Sequence, residues 1–296
     1  MRVPITRRDV LIHVGLFAAC CVTTTLYNGP AFSATLMGIL TCHEFGHYFV
    51  ARNRGVAVSL PYFIPLPPYV SLGTLGAVIR MDKPIADRRP LFDVGAAGPV
   101  AGLVVAIPLL VIGLKLSTVG PSPADGAIEG NSILYALLKY AVFGQWLPNN
   151  DGIDVQLHPM ASAAWVGFLI TMINLMPIGQ LDGGHVARAA LGQKHELWSK
   201  RLHFALPVVG VVVAGAMFVA ARNAGKDVID ALQYAKYGAI PWLVWTLLLG
   251  VIRGRAGEYH PPVTDVPLDP MRRRLALGVL LIFALIWTPV PFRPVL

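Results

Sequence analysis

Residues 31–51 read AFSATLMGILTCHEFGHYFVA, a mainly apolar run that is long enough to cross a membrane yet carries polar side chains in its second half. Two of these are His43 and His47, which a helix of about 3.6 residues per turn places on one face. Glu44 completes the H-E-x-x-H pattern, in which two histidines hold a zinc ion and the glutamate acts on water. Polar groups inside a span cost free energy unless they are paired, ligated or facing a cavity. The stretch therefore predicts a membrane helix with a metal site.

The composition of the whole chain indicates a membrane protein. Of its 296 residues, 55% are hydrophobic and 14% are charged, and the mean hydropathy of +0.61 exceeds what a water-soluble domain needs. The net charge of +8 comes from short clusters between apolar runs rather than from one stripe, which argues against a nucleic-acid partner. The predicted spans are Val10–Tyr27, Ala31–Ala51, Phe92–Leu116, Met160–Ile178, Phe204–Ala221, Gly238–Ile252 and Leu275–Val290, of which the fourth and sixth are the weakest. We predict an all-α polytopic integral membrane protein with six to seven transmembrane helices in the lipid bilayer.

The basic clusters also predict the topology. They occur before the first span and after the second, fourth and sixth, and Lys and Arg are enriched in short cytoplasmic loops. The N-terminus is therefore expected in the cytoplasm and the 117–157 connection outside, where the apolar run Ile133–Phe143 predicts an interfacial helix. The basic start also fits a cleaved signal peptide, but the small-residue stretch at 31–34 runs on into the next apolar segment. We expect an uncleaved N-terminal transmembrane helix over residues 1–30.

Between residues 56 and 80 the pattern changes to proline, aromatic and glycine residues, and its later part has strand character. Pro61, Pro65, Pro67 and Pro68 exclude a regular helix. Irregular backbone at membrane depth must be shielded by protein or line a wet cavity. We favour a membrane-embedded hairpin or re-entrant segment beside a polar site, and a plain cytoplasmic loop is the alternative.

A tetrahedral zinc site needs a third protein ligand, and the end of the fourth predicted span offers one. Residues 174–185 read NLMPIGQLDGGH, in which Asp182 is an acid within an apolar, glycine-rich stretch. Pro177 breaks the helix where a bend could aim this carboxylate at the metal. The alternative is that Asp182 only caps the helix that follows it.

The two motifs together resemble the signature of the site-2 protease family of zinc metallopeptidases, the peptidase M50 type. The motifs are His43-Glu44-x-x-His47 and Asn174-x-x-Pro177-x-x-x-Leu181-Asp182-Gly183, and the resemblance covers roughly residues 31–191. It implies a zinc-dependent intramembrane metalloendopeptidase with one Zn²⁺ per chain, bound by His43, His47 and Asp182. Glu44 would be the catalytic base, and Asn174 would orient the substrate backbone or stabilise the oxyanion. The substrates would be transmembrane proteins, cut near the cytoplasmic side in regulated intramembrane proteolysis.

The resemblance also suggests how the chain is divided. We expect the N-terminal transmembrane helix over 1–30, the catalytic membrane core over 31–191 and C-terminal transmembrane helices over 192–296. The 117–157 connection leaves no room for a PDZ module, and no soluble regulatory domain is expected after the last helix. The expected location is a bacterial inner or plasma membrane, with a multi-pass chain.

A catalytically silent membrane scaffold is one rival function, and the intact Glu44 argues against it. Metal transport is the other, because histidines and acids within spans also form ion pathways. Transport would need more polar residues on several helices, and the third, fifth and sixth spans offer few. His185, three residues after the acid of the second motif, could be a partner of the site, whereas His260 has no partner spacing and is interpreted as a packing residue. Trp242, Trp245 and Trp287 are typical of membrane-interface anchors.

Overall fold

The computed structural model describes residues 6–67, 72–81, 83–122, 127–149, 151–264 and 266–294. Its helices are α1 Arg7–Asn28, α2 Pro30–Asn53, α3 Arg88–Lys115, α4 Ile133–Phe143, α5 Pro159–Asn174, α6 Asp182–Leu191, α7 Lys194–Asn223, α8 Val228–Ala256 and α9 Pro270–Ile286. Its strands are β1 Tyr62–Pro65, β2 Thr74–Val78, β3 Thr118–Pro121, β4 Ala127–Glu129, β5 Ile153–Gln156 and β6 Phe292–Pro294.

Each of the seven predicted spans overlaps a helix, in the order α1, α2, α3, α5, α7, α8 and α9. The fourth and seventh predictions run four residues beyond the ends of α5 and α9. Four of the described helices, α1, α3, α7 and α8, are long and apolar enough to cross a membrane. In α2 the polar residues His43, Glu44 and His47 interrupt the apolar run, and α5 and α9 have only 16 and 17 residues. The mostly helical architecture with several candidate spans is therefore confirmed, and the count of six to seven spans stays a prediction.

The central helix is α3, which contacts α2, α5, α6 and α9. Asp87 caps its N-terminus by accepting a hydrogen bond from the N–H of Arg89 at 3.0 Å. Glycines let its neighbours approach closely, as is common between membrane helices. A Cβ on Gly46 of α2 would lie 2.7 Å from the carbonyl oxygen of Ala97, and a Cβ on Gly113 would lie 2.7 Å from a Cα atom of α5. This packing holds the H-E-x-x-H helix against the first half of α3.

The segment predicted as a hairpin contains β1 and β2, which pair antiparallel with Phe63 opposite Ala77. The Thr23 hydroxyl of α1 donates to the carbonyl of Gly73 at 2.6 Å and so ties the hairpin to α1. Gly73 has φ +91°, and a Cβ there would lie 2.7 Å from the backbone of Thr23, so a glycine is required. Residues 68–71 of this segment, including Pro68, lie outside the described residues.

Among the described residues, two further sheets that no pattern in the sequence predicts join distant segments: β3 pairs with β5, and β4 pairs with β6. Their strands of three or four residues are too short to leave a periodic signal. Beside them the fully buried ammonium of Lys139 lies 3.7 Å from Glu129 and 3.5 Å from Asp154. Burial raises the pKa of Glu129, because a carboxylate removed from water favours its neutral form.

Helices α7 and α8 pack against each other through small residues, and a Cβ on Gly210 would lie 3.2 Å from Cβ of Trp242. Trp242 is 3% exposed, and its indole N–H donates to the carbonyl of Pro289 at 2.9 Å. The prediction that it is a membrane-interface anchor is therefore wrong, because the segment after α9 covers it. Trp287 is 38% exposed.

Candidate metal centre

The two histidines of α2 converge across one helical turn. Nε2 of His43 lies 3.2 Å from Nε2 of His47, and His43 is only 3% exposed. The spacing of four residues produces this arrangement, because side chains at i and i+4 share a helix face.

Asp182 completes the group from a distant part of the chain. Its Oδ2 atom lies 3.3 Å from Nε2 of His43 and 3.3 Å from Nε2 of His47. All three potential ligand atoms are within 4.8 Å of one another. In the described part of the chain, these three side chains form the group of His, Cys, Asp and Glu that could hold a metal ion.

The spacing of these three atoms fits zinc. With zinc–ligand distances of about 2.0–2.1 Å, the ligand atoms of a tetrahedral site are about 3.3–3.4 Å apart. The observed separations of 3.2, 3.3 and 3.3 Å form a triangle of nearly this size. Two imidazoles and one carboxylate are also the ligand types of catalytic zinc sites, which leave the fourth position to water or substrate.

The position of Asp182 follows from the way α6 is held. Leu181, rather than Asp182, is the N-cap of this helix, so the capping alternative does not account for the acid. A Cβ on Gly183 would overlap the carbonyl of Leu175, which shows how closely the turn after α5 folds back on α6. At the other end of α6, the buried Arg88 donates to two consecutive carbonyls, at 2.7 and 2.8 Å. Both ends of the helix are therefore fixed.

The backbone of α3 orients His47. The Nδ1 atom of His47 is 2.8 Å from the carbonyl oxygen of Val94, so Nδ1 carries the proton and Nε2 keeps a lone pair for the metal. The ring also lies directly against Gly98, where an added Cβ would overlap it. The two contacts leave the ring little freedom.

The remaining two predicted site residues line the same cavity. This cavity of about 270 Å³ is bordered by Glu44, Asn174 and the three potential ligands, and the β2 residues Ala77 and Val78 contribute to its wall. Glu44 is 7% exposed. Asn174 has its amide nitrogen 3.4 Å from Nε2 of His43. The structure thus brings all five predicted residues together and adds the strand β2.

A histidine pair next to this cavity was not predicted from the sequence. His185, which also lines the cavity, has Nδ1 2.8 Å from Nε2 of His260. Nδ1 of His260 donates to the carbonyl of Pro261 at 2.8 Å, so His185 must be the donor within the pair. Burial lowers the pKa of His260, in agreement with a neutral ring. The two residues are 75 positions apart in different motifs, so no spacing signal reveals the contact.

Two histidines, one aspartate and a glutamate share one cavity in a mostly helical structure, and four of its described helices are candidate membrane spans. These features define a helical membrane metalloprotein of the hydrolase type. The family comparison agrees, because the model of peptidase family M50 matches residues 31–217. The chain belongs to this family, which is the site-2 protease family that the motifs resemble.

Several curated proteins are similar to the chain. The probable chloroplastic zinc metalloprotease EGY1 of Arabidopsis thaliana is 34% identical over 164 residues, which are 53% of this chain and 29% of that protein. The probable chloroplastic zinc metalloprotease EGY2 of Oryza sativa subsp. indica is 30% identical over 277 residues, which are 90% of this chain and 43% of that protein. The chain thus spans less than half the length of these relatives. No solved structure matches the chain.

Proposed function

We propose that the chain is a zinc-dependent intramembrane endopeptidase that hydrolyses membrane-spanning substrate proteins near the cytoplasmic side of the bilayer. The observation that carries the proposal is the convergence of three ligand-type side chains with Glu44 in one cavity, which residues of α2, α3, α6 and β2 line. Membership of a peptidase family and relatives named zinc metalloproteases support it. His43, His47 and Asp182 would hold one zinc ion per chain.

Glu44 is proposed as the general base and then the general acid. When bound, zinc supplies a Lewis acid that makes water a stronger nucleophile near neutral pH and polarises a carbonyl group. The Glu44 carboxylate takes a proton from the water whose oxygen attacks the scissile carbonyl carbon. The same proton passes to the amide nitrogen as the C–N bond breaks, so the products are a carboxylic acid and an amine, and the acid then gives up its proton to the amine or to solvent. Glu44 follows the potential ligand His43 in α2 and lines the same cavity, which supports this role.

Asn174 and β2 are proposed to position the substrate. The amide of Asn174 can donate a hydrogen bond to a substrate carbonyl or to the oxyanion that forms from it. A helical substrate hides its carbonyl groups in internal hydrogen bonds, so it must unwind before cleavage. β2 belongs to a two-stranded sheet and lines the cavity, which supports docking of the unwound segment as an added strand.

The topology and division of the chain are part of the proposal. His43 lies about eight residues before the end of its predicted span, roughly 12 Å by helix rise, which supports cleavage near the cytoplasmic side. We propose 1–30 as the first transmembrane helix, 31–191 as the catalytic core and 192–296 as additional membrane helices, with the N-terminus in the cytoplasm. The relatives described above are named chloroplastic, and a bacterial cell membrane is our proposal for this chain.

The test is cleavage of a panel of single-span substrate proteins by the purified, detergent-solubilised protein. We expect cleavage by wild type, no cleavage after zinc removal with a chelator and recovery when zinc is added back. Glu44→Gln should bind zinc as wild type does and cleave nothing. Glu258→Gln, outside the cavity, is the matched control and should cleave normally.

The products report the side of the bilayer. Mass spectrometry of the fragments should place the cut near the cytoplasmic end of the substrate span. Zinc that does not bind the wild-type protein, or cleavage that persists in Glu44→Gln, would contradict the proposal.

A further inference from the structure

A group of charged side chains lies at the start of α3, next to the candidate metal centre. The carboxylate of Asp93 accepts two hydrogen bonds from Arg272 of α9, from Nε to Oδ1 at 2.8 Å and from Nη2 to Oδ2 at 3.0 Å. Arg54, at the C-terminus of α2, is 2.6 Å from the same carboxylate. One aspartate thus joins three helices.

Arg272 is held in place before it reaches Asp93. Asp269, the N-cap of α9, accepts the backbone N–H of Arg272 at 3.0 Å and binds its guanidinium Nη1 at 2.7 Å. Hydrogen bonds from Arg272 lower the pKa of Asp269, so this carboxylate is ionised near neutral pH. The guanidinium is a planar fork that matches a carboxylate in two-point contact. The pair with Asp93 is therefore geometrically specific rather than a loose surface contact.

Asp93 immediately precedes the residue that orients a potential zinc ligand. Val94, the next residue in α3, accepts the hydrogen bond from Nδ1 of His47. Gly98, four residues further along, lies against the same imidazole ring. A displacement of the first turns of α3 would therefore move both contacts that orient His47. Zinc ligands tolerate deviations of only about 0.2 Å.

We propose that the Asp93–Arg272 ion pair holds the start of α3 so that the Val94 carbonyl stays in place to accept the hydrogen bond from His47. Through this ion pair, α9 helps to set the geometry of the metal centre. The inference rests on the zinc site of the proposed function and assigns it a further determinant. α9 lies outside residues 31–217, the part of the chain that matches the family. Arg272 does not touch the metal, so it is a positioning residue and not a ligand.

The test is the zinc affinity of the full-length protein, measured by competition with a chromogenic chelator. We expect Arg272→Gln to weaken zinc binding about 10-fold, the lower end of the range for residues that orient metal ligands. Arg273→Gln is the matched control, because Arg273 is an exposed neighbour on the same helix and lies outside the ion-pair group. It should bind zinc as wild type does. Arg272→Lys keeps the charge but loses the two-point contact, so its affinity should fall between the two.

Two further measurements separate positioning from stability. The absorption spectrum of the Co²⁺-substituted protein reports ligand geometry, and we expect Arg272→Gln to change it while Arg273→Gln does not. Thermal unfolding of the zinc-free proteins shows how much of the effect is stability alone. If Arg272→Gln cannot be purified in folded form, Arg272→Lys decides through the same affinity and spectrum.

The outcomes distinguish the inference from the proposed function. Wild-type protein that binds no zinc contradicts the proposed function itself. The inference is overturned if the Arg272 variants keep the wild-type zinc affinity and an unchanged Co²⁺ spectrum, with or without a lower melting temperature. That outcome leaves the proposed zinc enzyme intact. Weaker binding and an altered spectrum in these variants, but not in Arg273→Gln, support it.

Discussion

Replacing Gly98 by alanine should remove the metal from a protein that stays folded. The new Cβ would overlap the imidazole ring of His47, whose Cε1 atom would be 2.5 Å away and whose Nε2 atom would be closer still. Ordinary contact begins at 3.4 Å, so the ring must move by at least about 0.9 Å. This is more than four times the tolerance of roughly 0.2 Å for a zinc ligand. The overlapped atoms belong to a side chain and not to the backbone of α2, so the displacement falls on the potential ligand and the loss should appear in metal binding.

We expect the zinc affinity of Gly98→Ala to fall by about 100-fold or more, because a displaced ligand costs at least as much as the loss of a residue that orients one. A 100-fold loss corresponds to about 2.7 kcal/mol of binding free energy. Gly102→Ala is the matched control one turn further along α3, since its Cβ would lie 3.3 Å from His43 and needs a shift of only about 0.1 Å.

The assay is chelator competition for zinc, combined with thermal unfolding of the metal-free proteins. Gly102→Ala should bind zinc within a few-fold of wild type, roughly 0.5 kcal/mol. Wild-type affinity in Gly98→Ala would refute the placement of His47 against α3. Equal losses in both variants would show that the effect is general helix packing.

Lys139→Met should lower the free energy of unfolding in urea by about 3–5 kcal/mol, because it leaves two buried carboxylates without a counter-charge. The control is Lys226→Met at an exposed lysine, which should change this free energy by less than about 0.5 kcal/mol. Arg88→Met should lower the melting temperature, since two charge-assisted hydrogen bonds to the end of α6, worth about 1.5–3 kcal/mol each, are lost. Gly183→Ala should abolish stoichiometric zinc binding in a metal assay, because its Cβ would overlap the backbone of the preceding turn. Burial holds the pKa of His260 below its usual value. The stability contributed by its neutral ring is therefore complete above about pH 6.5 and is lost as the pH falls from there. Melting temperatures measured from neutral to acidic pH should fall less in His260→Gln than in wild type.

The helices and the first half of the site could be predicted because their signals are local. An apolar run of about 20 residues and two histidines four positions apart are both visible in 31–51. The connection to Asp182 is not local, and it depended on a pair of motifs known from a family. The short helix α4 was also visible, as an apolar run bounded by Ser132 and Gly144.

Contacts between distant residues could not be predicted, because one side chain alone says nothing about its partner. Asp93 and Arg272 are 179 positions apart. In the sequence Arg272 is one of three consecutive arginines and indicates only which end of a span faces the cytoplasm. The pairing of His185 with His260 and of β4 with β6 is of the same kind.

The ion pair between α3 and α9 also has a consequence for protein synthesis. The ribosome adds Asp182, the last of the three potential ligands, 90 residues before it adds Arg272. At roughly 5–20 residues per second, this delay is about 5–18 seconds. A nascent chain in that interval has every ligand but not the arginine that positions one of them. The metal centre would therefore gain its full affinity for zinc only after α9 has been added to the chain, well after its last potential ligand.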